Sequence, residues 1–168
     1  MNRVGDRLCA LRAMLTAAAP WVALLFLRVL VGWEFLEAGL EKLGGENWFD
    51  SIQDKFIFPF NLLPVDVSWS MAMWFEIVGG IALILGVGTR FFALSLLVLT
   101  VVATAAVHLP DQWSTLAELW RGYVISNKGH GNFKLPLIFM TMLWPLMFYG
   151  PGRLSIDGLI HGLLSRQR

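Results

Sequence analysis

Two apolar segments of this chain repeat one spacing of charged residues and glycines, and this shared spacing limits what the chain can fold into. In both segments the residues recur every three or four positions, which places each set along one face of an α-helix. A charge at the centre of a membrane helix disfavours insertion by about 2.5–3.5 kcal/mol, whereas glycine lets two helices approach closely. The first set is Arg28, Gly32, Phe35, Gly39 and Lys42, and the second is Glu76, Gly79, Leu83, Gly86 and Arg90.

We therefore expect these two faces to meet. Arg28 and Glu76 are the expected ion pair between them, either as a device that fixes the helix register or as groups that handle a proton or a ligand. The glycines expected to pack at the helix contacts are Gly32, Gly39, Gly79, Gly80 and Gly86.

The composition indicates a membrane protein. Hydrophobic residues make up 57% of the 168 residues and charged residues 15%, and the mean hydropathy is +0.63, whereas a soluble domain is about one-quarter charged. The net charge of +1 gives no reason to expect a nucleic-acid partner. The expected partners are a lipid membrane and either another protein or a second copy of the chain.

The apolar segments predict one all-α domain over residues 1–168, folded as an integral membrane four-helix bundle. The predicted spans are 21–40, 69–87, 91–108 and 133–149, the last of which is marginal in length for crossing a bilayer. The loops that follow spans one and three are rich in Trp and Phe, and they either cover one end of the bundle or anchor it in the membrane interface. Beyond Gly150, an amphipathic helix capped by Ser155 is expected to rest on the membrane.

The distribution of basic residues predicts the orientation. An even number of spans places both termini on one side, and that side carries seven arginines against five lysines and arginines on the other. The positive-inside rule therefore favours cytoplasmic N- and C-termini.

Three motifs in these elements resemble the DoxX family, a group of small bacterial four-helix membrane proteins. The motifs are Arg28-xxx-Gly32-xx-Phe35-xxx-Gly39-xx-Lys42, then Glu76-xx-Gly79-Gly80 with Gly86-xx-Thr89-Arg90, and the exit motif Gly150-Pro151-Gly152-xx-Ser155-Ile156-Asp157. Segments 58–64 and 131–137 are similar to one branch encoded beside enzymes that modify small metal-binding peptides. The resemblance implies a multi-pass protein of the bacterial inner membrane, associated with membrane redox processes or thiol stress, often as a partner of soluble enzymes.

Glu34 and Glu37 are the further candidates for chemistry. Both lie within the first span, and at about 100° per residue both point away from the glycine face. They are expected to be protonated, hydrogen-bonded to span four, or open to a cavity near the loops. Unpaired carboxylates inside a membrane are functional candidates by default. Glu34, Glu37, Glu76 and Arg28 therefore form the candidate pocket or proton-handling set, and no catalytic residue is assigned.

A metal site is a weaker hypothesis. Thioether and imidazole ligands suit Cu(I), and the candidates are Met71, Met73, His108 and His130. Residues 71 and 73 are about 200° apart on a helix and cannot both face one ion, so no metal centre is predicted. No haem is expected either, and Cys9, the single cysteine, excludes an internal disulfide centre.

Three functions fit these observations. The first is an auxiliary subunit of a membrane redox or detoxification system, with a carboxylate-lined pocket that binds a quinone-like or other small amphiphile. The second is a non-catalytic membrane anchor for partner enzymes or a modified peptide. The third is a small transporter or copper-handling protein.

Overall fold

The computed structural model describes residues 3–165, which form helices and turns without a β-strand. The main elements pack in a ring, α1 against α2, α2 against α3, α3 against α5 and α5 against α1. The helices are α1 Arg3–Gly44, α2 Val65–Leu85, α3 Thr89–Ala103, α4 Leu116–Trp120, α5 Lys134–Tyr149 and α6 Ile156–Ser165.

The helices have the length and composition of membrane spans. Within the described residues, α1, α2 and α3 with its continuation to His108 are long and apolar enough to cross a bilayer, and α5 is a shorter apolar helix. The prediction of an all-helical membrane protein is confirmed. Leu83, Leu96, Leu143 and Leu146 are fully buried where the four helices meet.

The first helix is much longer than its predicted span. It begins at Arg3 and continues through Pro20 to Gly44, a total of 42 residues, or about 63 Å at ~1.5 Å per residue. The hydropathy pattern predicted a span only from residue 21. Five alanines in residues 10–19 favour the continuation of the helix toward the N-terminus. Residues 7–19 have exposed side chains, and this part of the helix projects from the bundle.

The two ends of the bundle differ. We call the end that carries residues 45–64 and 109–133 the loop end. There, Phe49 and Phe56 of the first loop are buried against Ala106, and Lys55 forms an exposed 3.0 Å ion pair with Asp111 of the second loop. In that second loop, backbone N–H groups of residues 114 and 115 hold the pKa of Glu118 below its ordinary value.

We call the other end, with the α2–α3 turn and residues 150–155, the tail end. Here α6 begins as predicted, because the hydroxyl of Ser155 accepts a 3.0 Å hydrogen bond from the N–H of Gly158. The apolar residues of α6 are exposed and form the face predicted to rest on the membrane: Leu159, Ile160, Leu163 and Leu164.

Glycines bring α1 and α2 into backbone contact, as predicted from the two sets of regularly spaced charged residues and glycines, which we call stripes. A Cβ added to Gly80 would lie 2.6 Å from the carbonyl oxygen of Gly32, and one added to Gly39 would lie 2.8 Å from the backbone nitrogen of Ile77. Real Cβ atoms do not approach so closely, so these positions admit no larger residue without movement of the helices.

Two of the predicted packing glycines do not join the α1 and α2 backbones. Gly79 faces α3, where an added Cβ would lie 3.1 Å from Leu96, so Gly80 takes its place in the α1–α2 contact. Gly86 ends α2 in the left-handed conformation, with φ of 71°. Gly86 still lies against α1, but it meets the side chain of Arg28 there and not the α1 backbone.

We predict that Gly80→Ala lowers the free energy of unfolding by about 1–3 kcal/mol, the usual effect of overpacking. Gly44→Ala is the matched control, because an added Cβ there meets no atom within 4 Å. Unfolding by SDS in mixed micelles, followed by circular dichroism, measures both. Equal stability of the two variants would contradict the close approach of α1 and α2.

Candidate functional site

The two buried charges of the stripes lie at opposite ends of the α1–α2 contact. Arg28 is 2% exposed and Glu76 is 5% exposed, but Arg28 meets the α2 terminus at Gly86, whereas Glu76 meets Lys42. The predicted Arg28–Glu76 pair is therefore wrong. The helices run antiparallel, so Glu76, the first residue of its stripe, meets Lys42, the last residue of the other, and Arg28 meets Gly86.

Arg28 is held at the tail end by the exit motif. Its Nη1 donates a 2.7 Å hydrogen bond to the carbonyl of Pro151, and its Nη2 donates to the carbonyl of Leu154. Gly86 lacks a side chain where the guanidinium passes. These contacts pair two of the three guanidinium nitrogens with backbone oxygens, while Nε has no hydrogen-bond partner among residues 3–165. Asp157 adds electrostatic attraction without a direct ion pair.

Asp157 joins the exit motif to the turn between α2 and α3. Its backbone N–H donates to the carbonyl of Gly86 at 3.0 Å, and its carboxylate accepts from the N–H of Thr89 at 3.3 Å. Gly150 and Gly152 have φ of 81° and 78°, which side chains disfavour. The geometry thus gives these exit-motif residues and Arg28 a structural role in closing the tail end.

Glu76 and Lys42 form the ion pair at the loop end. The ammonium of Lys42 lies 2.7 Å from Oε2 and 3.0 Å from Oε1 of Glu76, with side-chain exposures of 17% and 6%. The Oε2 atom has the ammonium beside it but no hydrogen bond of good geometry. The pair therefore neutralises two charges inside the apolar bundle and leaves one carboxylate oxygen with accepting capacity.

A cavity of about 880 Å³ adjoins this ion pair. Its volume falls in the range of about 300–1,000 Å³ that is typical of small-molecule sites. The first loop covers it with Trp48, Phe49, Ile52, Phe56, Phe60 and Leu63. The second loop supplies no lining residue within the described chain, so the expected cover is formed by one loop and not by both.

The structure separates the two unpaired carboxylates that the sequence grouped. Glu34 lines the cavity and is half-buried, whereas Glu37 is exposed and lies outside the cavity lining. Glu41, which the sequence reasoning missed, also lines the cavity. It follows Glu34 by seven residues and shares its helix face, a signal that was present in the sequence. Neither Glu34 nor Glu37 makes a hydrogen bond to another part of the described chain.

Ser68 is a second lining residue that the sequence did not reveal. Its side chain is buried, and its hydroxyl has no hydrogen-bond partner among residues 3–165. Ser68 and Glu76 lie on α2 and both line the cavity. A buried hydroxyl without a partner is destabilising by about 1–3 kcal/mol, so a ligand with a polar group would satisfy it.

His108 lies at the loop end of the cavity, in the π-helical turn Thr104–His108 that continues α3. Its Nδ1 is 2.8 Å from the amide oxygen of Asn132, and the Asn132 amide nitrogen donates to the carbonyl of Ile125 at 3.3 Å. This amide orientation makes Nδ1 the donor in neutral His108. The remaining nitrogen, Nε2, then carries a lone pair that can accept a hydrogen bond.

The weak metal candidates are not brought together. Met71 and His108 line the cavity, whereas Met73 and His130 do not, and His130 is exposed. Across residues 3–165, no group of three or more His, Cys, Asp or Glu side chains is arranged to hold a metal ion.

The family model described as DoxX matches residues 23–109, more than half of the chain. The chain belongs to the DoxX family. The matched segment contains the α1–α2 contact, the Lys42–Glu76 pair and the covering loop, and it ends before the exit motif. This DoxX protein is also 46% identical over 139 residues to an uncharacterized protein of Haemophilus influenzae, an alignment that covers 83% of each chain. No solved structure matches the chain.

We predict that Lys42 and Glu76 are energetically coupled, whereas Arg28 and Glu76 are not. Lys42→Met and Glu76→Gln should each lower the free energy of unfolding, with a loss of about 3–5 kcal/mol where an unpaired buried charge remains. The double variant should recover part of the loss. Arg28→Met combined with Glu76→Gln should be additive within about 0.5 kcal/mol. Coupling of Arg28 to Glu76, measured by SDS unfolding, would contradict the antiparallel assignment.

Proposed function

We propose that this DoxX protein is an auxiliary subunit of a membrane redox or stress-detoxification system and that it binds a small amphiphile, such as a quinone, in the loop-end cavity. The observation that carries the proposal is a group of polar side chains with unused hydrogen-bonding capacity inside an otherwise apolar cavity. We place the protein in a redox or detoxification system because its resemblance to DoxX proteins implies an association with membrane redox processes or thiol stress. Cytoplasmic termini, which the arginine distribution favours, would make the cavity face the periplasm.

The polar groups define what the ligand would need. Lys42 and Ser68 can donate hydrogen bonds, and the second oxygen of Glu76, the carboxylate of Glu34 and Nε2 of His108 can accept them. A molecule with an apolar body and a carbonyl or hydroxyl group matches this arrangement. Binding would also satisfy the orphan hydroxyl of Ser68, which stabilises the complex relative to the empty site.

The cavity is a binding site in this proposal and not a complete redox centre. None of its side chains is itself a redox carrier, so electrons would have to pass between the bound amphiphile and a partner protein. This division of labour is why we assign the chain an auxiliary role and assign no catalytic residue.

A membrane anchor is the second candidate, and the projecting part of α1 favours it. Residues before Pro20 form a helix that leaves the bundle, and it exposes large apolar side chains. These are Leu8, Leu11, Met14 and Leu15. A partner enzyme docked on this helix would cover them, whereas the copper-handling alternative has no comparable support from the geometry.

Replacing Glu34 tests the cavity against this anchor role. Glu34→Gln should preserve the fold, because the residue is half-buried and makes no ion pair, yet it should reduce the amount of co-purifying amphiphile and the complementation of a deletion strain. Glu37→Gln is the matched control, with the same chemical change on the same helix outside the cavity. Organic extraction of each purified protein and mass spectrometry of the extract measure the bound molecule.

Equal effects of the two changes would contradict the proposed cavity function. Full complementation by Glu34→Gln, with no amphiphile in any extract, would favour the anchor. In that case, removing residues 3–16 should abolish complementation instead.

A further inference from the structure

One side of the cavity is bordered by apolar side chains that are also exposed on the surface of the bundle. Val98 of α3 is 43% exposed and Met71 of α2 is 40% exposed, and both line the cavity. A side chain that lines the cavity and is also exposed on the outer surface of the bundle lies at an opening of the cavity. Both residues belong to helices that are long and apolar enough to span a membrane, so this opening faces the bilayer.

The packing of α2 and α3 explains why the opening is there. A short turn joins these helices at the tail end, and Leu96 of α3 packs onto Gly79 of α2. Nearer the loop end, Phe75 and Val102 line the cavity. The two helices are therefore in close contact toward the tail end, whereas toward the loop end side chains of both border the cavity. We call this cavity-lining stretch between α2 and α3 the slot.

Within α3 itself, the hydroxyl groups that line the cavity are already hydrogen-bonded, and His108 with its free Nε2 follows only at the loop end. The hydroxyl of Ser95 donates to the carbonyl of Phe91 at 2.9 Å, and that of Thr100 donates to the carbonyl of Leu96 at 2.6 Å. The other groups with spare capacity, such as Ser68 and Glu76, are on α2 or α1. The cavity thus has a polar wall at α1 and α2 and an apolar slot between α2 and α3.

We infer that the ligand enters sideways from the lipid phase, between α2 and α3, and is therefore a membrane-dissolved amphiphile and not a water-soluble solute. Its polar group would lie at Ser68 and the Lys42–Glu76 pair, while its apolar chain occupies the slot. This inference rests on the proposed function for the presence of a ligand, and it adds the route and the ligand class. An entirely aqueous route under the first loop would not require the apolar surface at Val98.

Spin-label relaxation in lipid vesicles tests the route without any ligand. A nitroxide is attached at Ala72→Cys, a half-buried cavity position, in full-length protein that carries Cys9→Ser. Molecular oxygen reports access to the label from the lipid phase. A nickel chelate reports access to the label from water, and the vesicles are made permeable so that the chelate reaches both sides. We expect fast relaxation by oxygen and slow relaxation by the chelate.

Filling the slot should then block the oxygen. Val98→Trp should reduce oxygen relaxation several-fold, whereas Val101→Trp should leave it unchanged. Val101 is the matched control because it is also a valine of α3, 43% exposed, but it does not line the cavity. Met71→Trp, a change at the other exposed residue of the opening, and a second label at Ala103→Cys repeat the test. Circular dichroism verifies folding.

Relaxation dominated by the chelate would overturn the inference, as would equal effects of Val98→Trp and Val101→Trp. The proposed function fails separately from the route. If Val98→Trp reduces oxygen relaxation but no extract contains an amphiphile, the lateral opening is supported and the proposed ligand binding is contradicted. If an amphiphile is bound but Val98→Trp leaves oxygen relaxation unchanged, only the opening is contradicted.

Discussion

Gly32 and Gly80 have no side chains, and this allows the backbones of α1 and α2 to touch. Because the α1 and α2 backbones meet there, the two helices are locked in an antiparallel register. That register carries Arg28 to Gly86 at the tail end and Lys42 to Glu76 at the loop end. The charges and the cavity take their positions from this one contact.

The protein satisfies its two buried charges by different means, and the difference separates structure from function. Arg28 is held by carbonyl oxygens of the exit motif, which leaves its side chain almost wholly enclosed and joins the segment after α5 to α1. Glu76 is held by a single ammonium beside an open cavity. The contacts of Arg28 therefore support the fold, whereas Glu76 is the buried charge that we propose meets a ligand.

The spacing of glycines was enough to predict that α1 and α2 pack together, because helical periodicity is a local property of the sequence. The pairing of charges was not predicted correctly. Arg28 and Lys42 are fourteen positions apart, about 21 Å along a helix, and the antiparallel order of consecutive spans places Glu76 near the second of them. The spacing of the first stripe, combined with the antiparallel direction of the second helix, would have identified Lys42 as the partner of Glu76.

The cavity was less accessible to sequence reasoning. Glu41 could have been found from its seven-residue spacing to Glu34, since both occupy one helix face. Ser68 could not, because its importance depends on a missing hydrogen-bond partner, which is a property of the packed structure. Similarly, only tertiary packing shows that the first loop covers the cavity and the second does not.

Direct imaging of the loop-end cavity is the best test of whether it holds a membrane amphiphile. An electron cryomicroscopy structure of the protein in nanodiscs made from its own membrane lipids, enlarged by a bound antibody fragment, would show the contents of the cavity. We expect elongated density that runs from Ser68 and the Lys42–Glu76 pair to the slot beside Val98. A cavity that contains only water, or one that is closed by inward movement of Phe56 and Phe60, would contradict it.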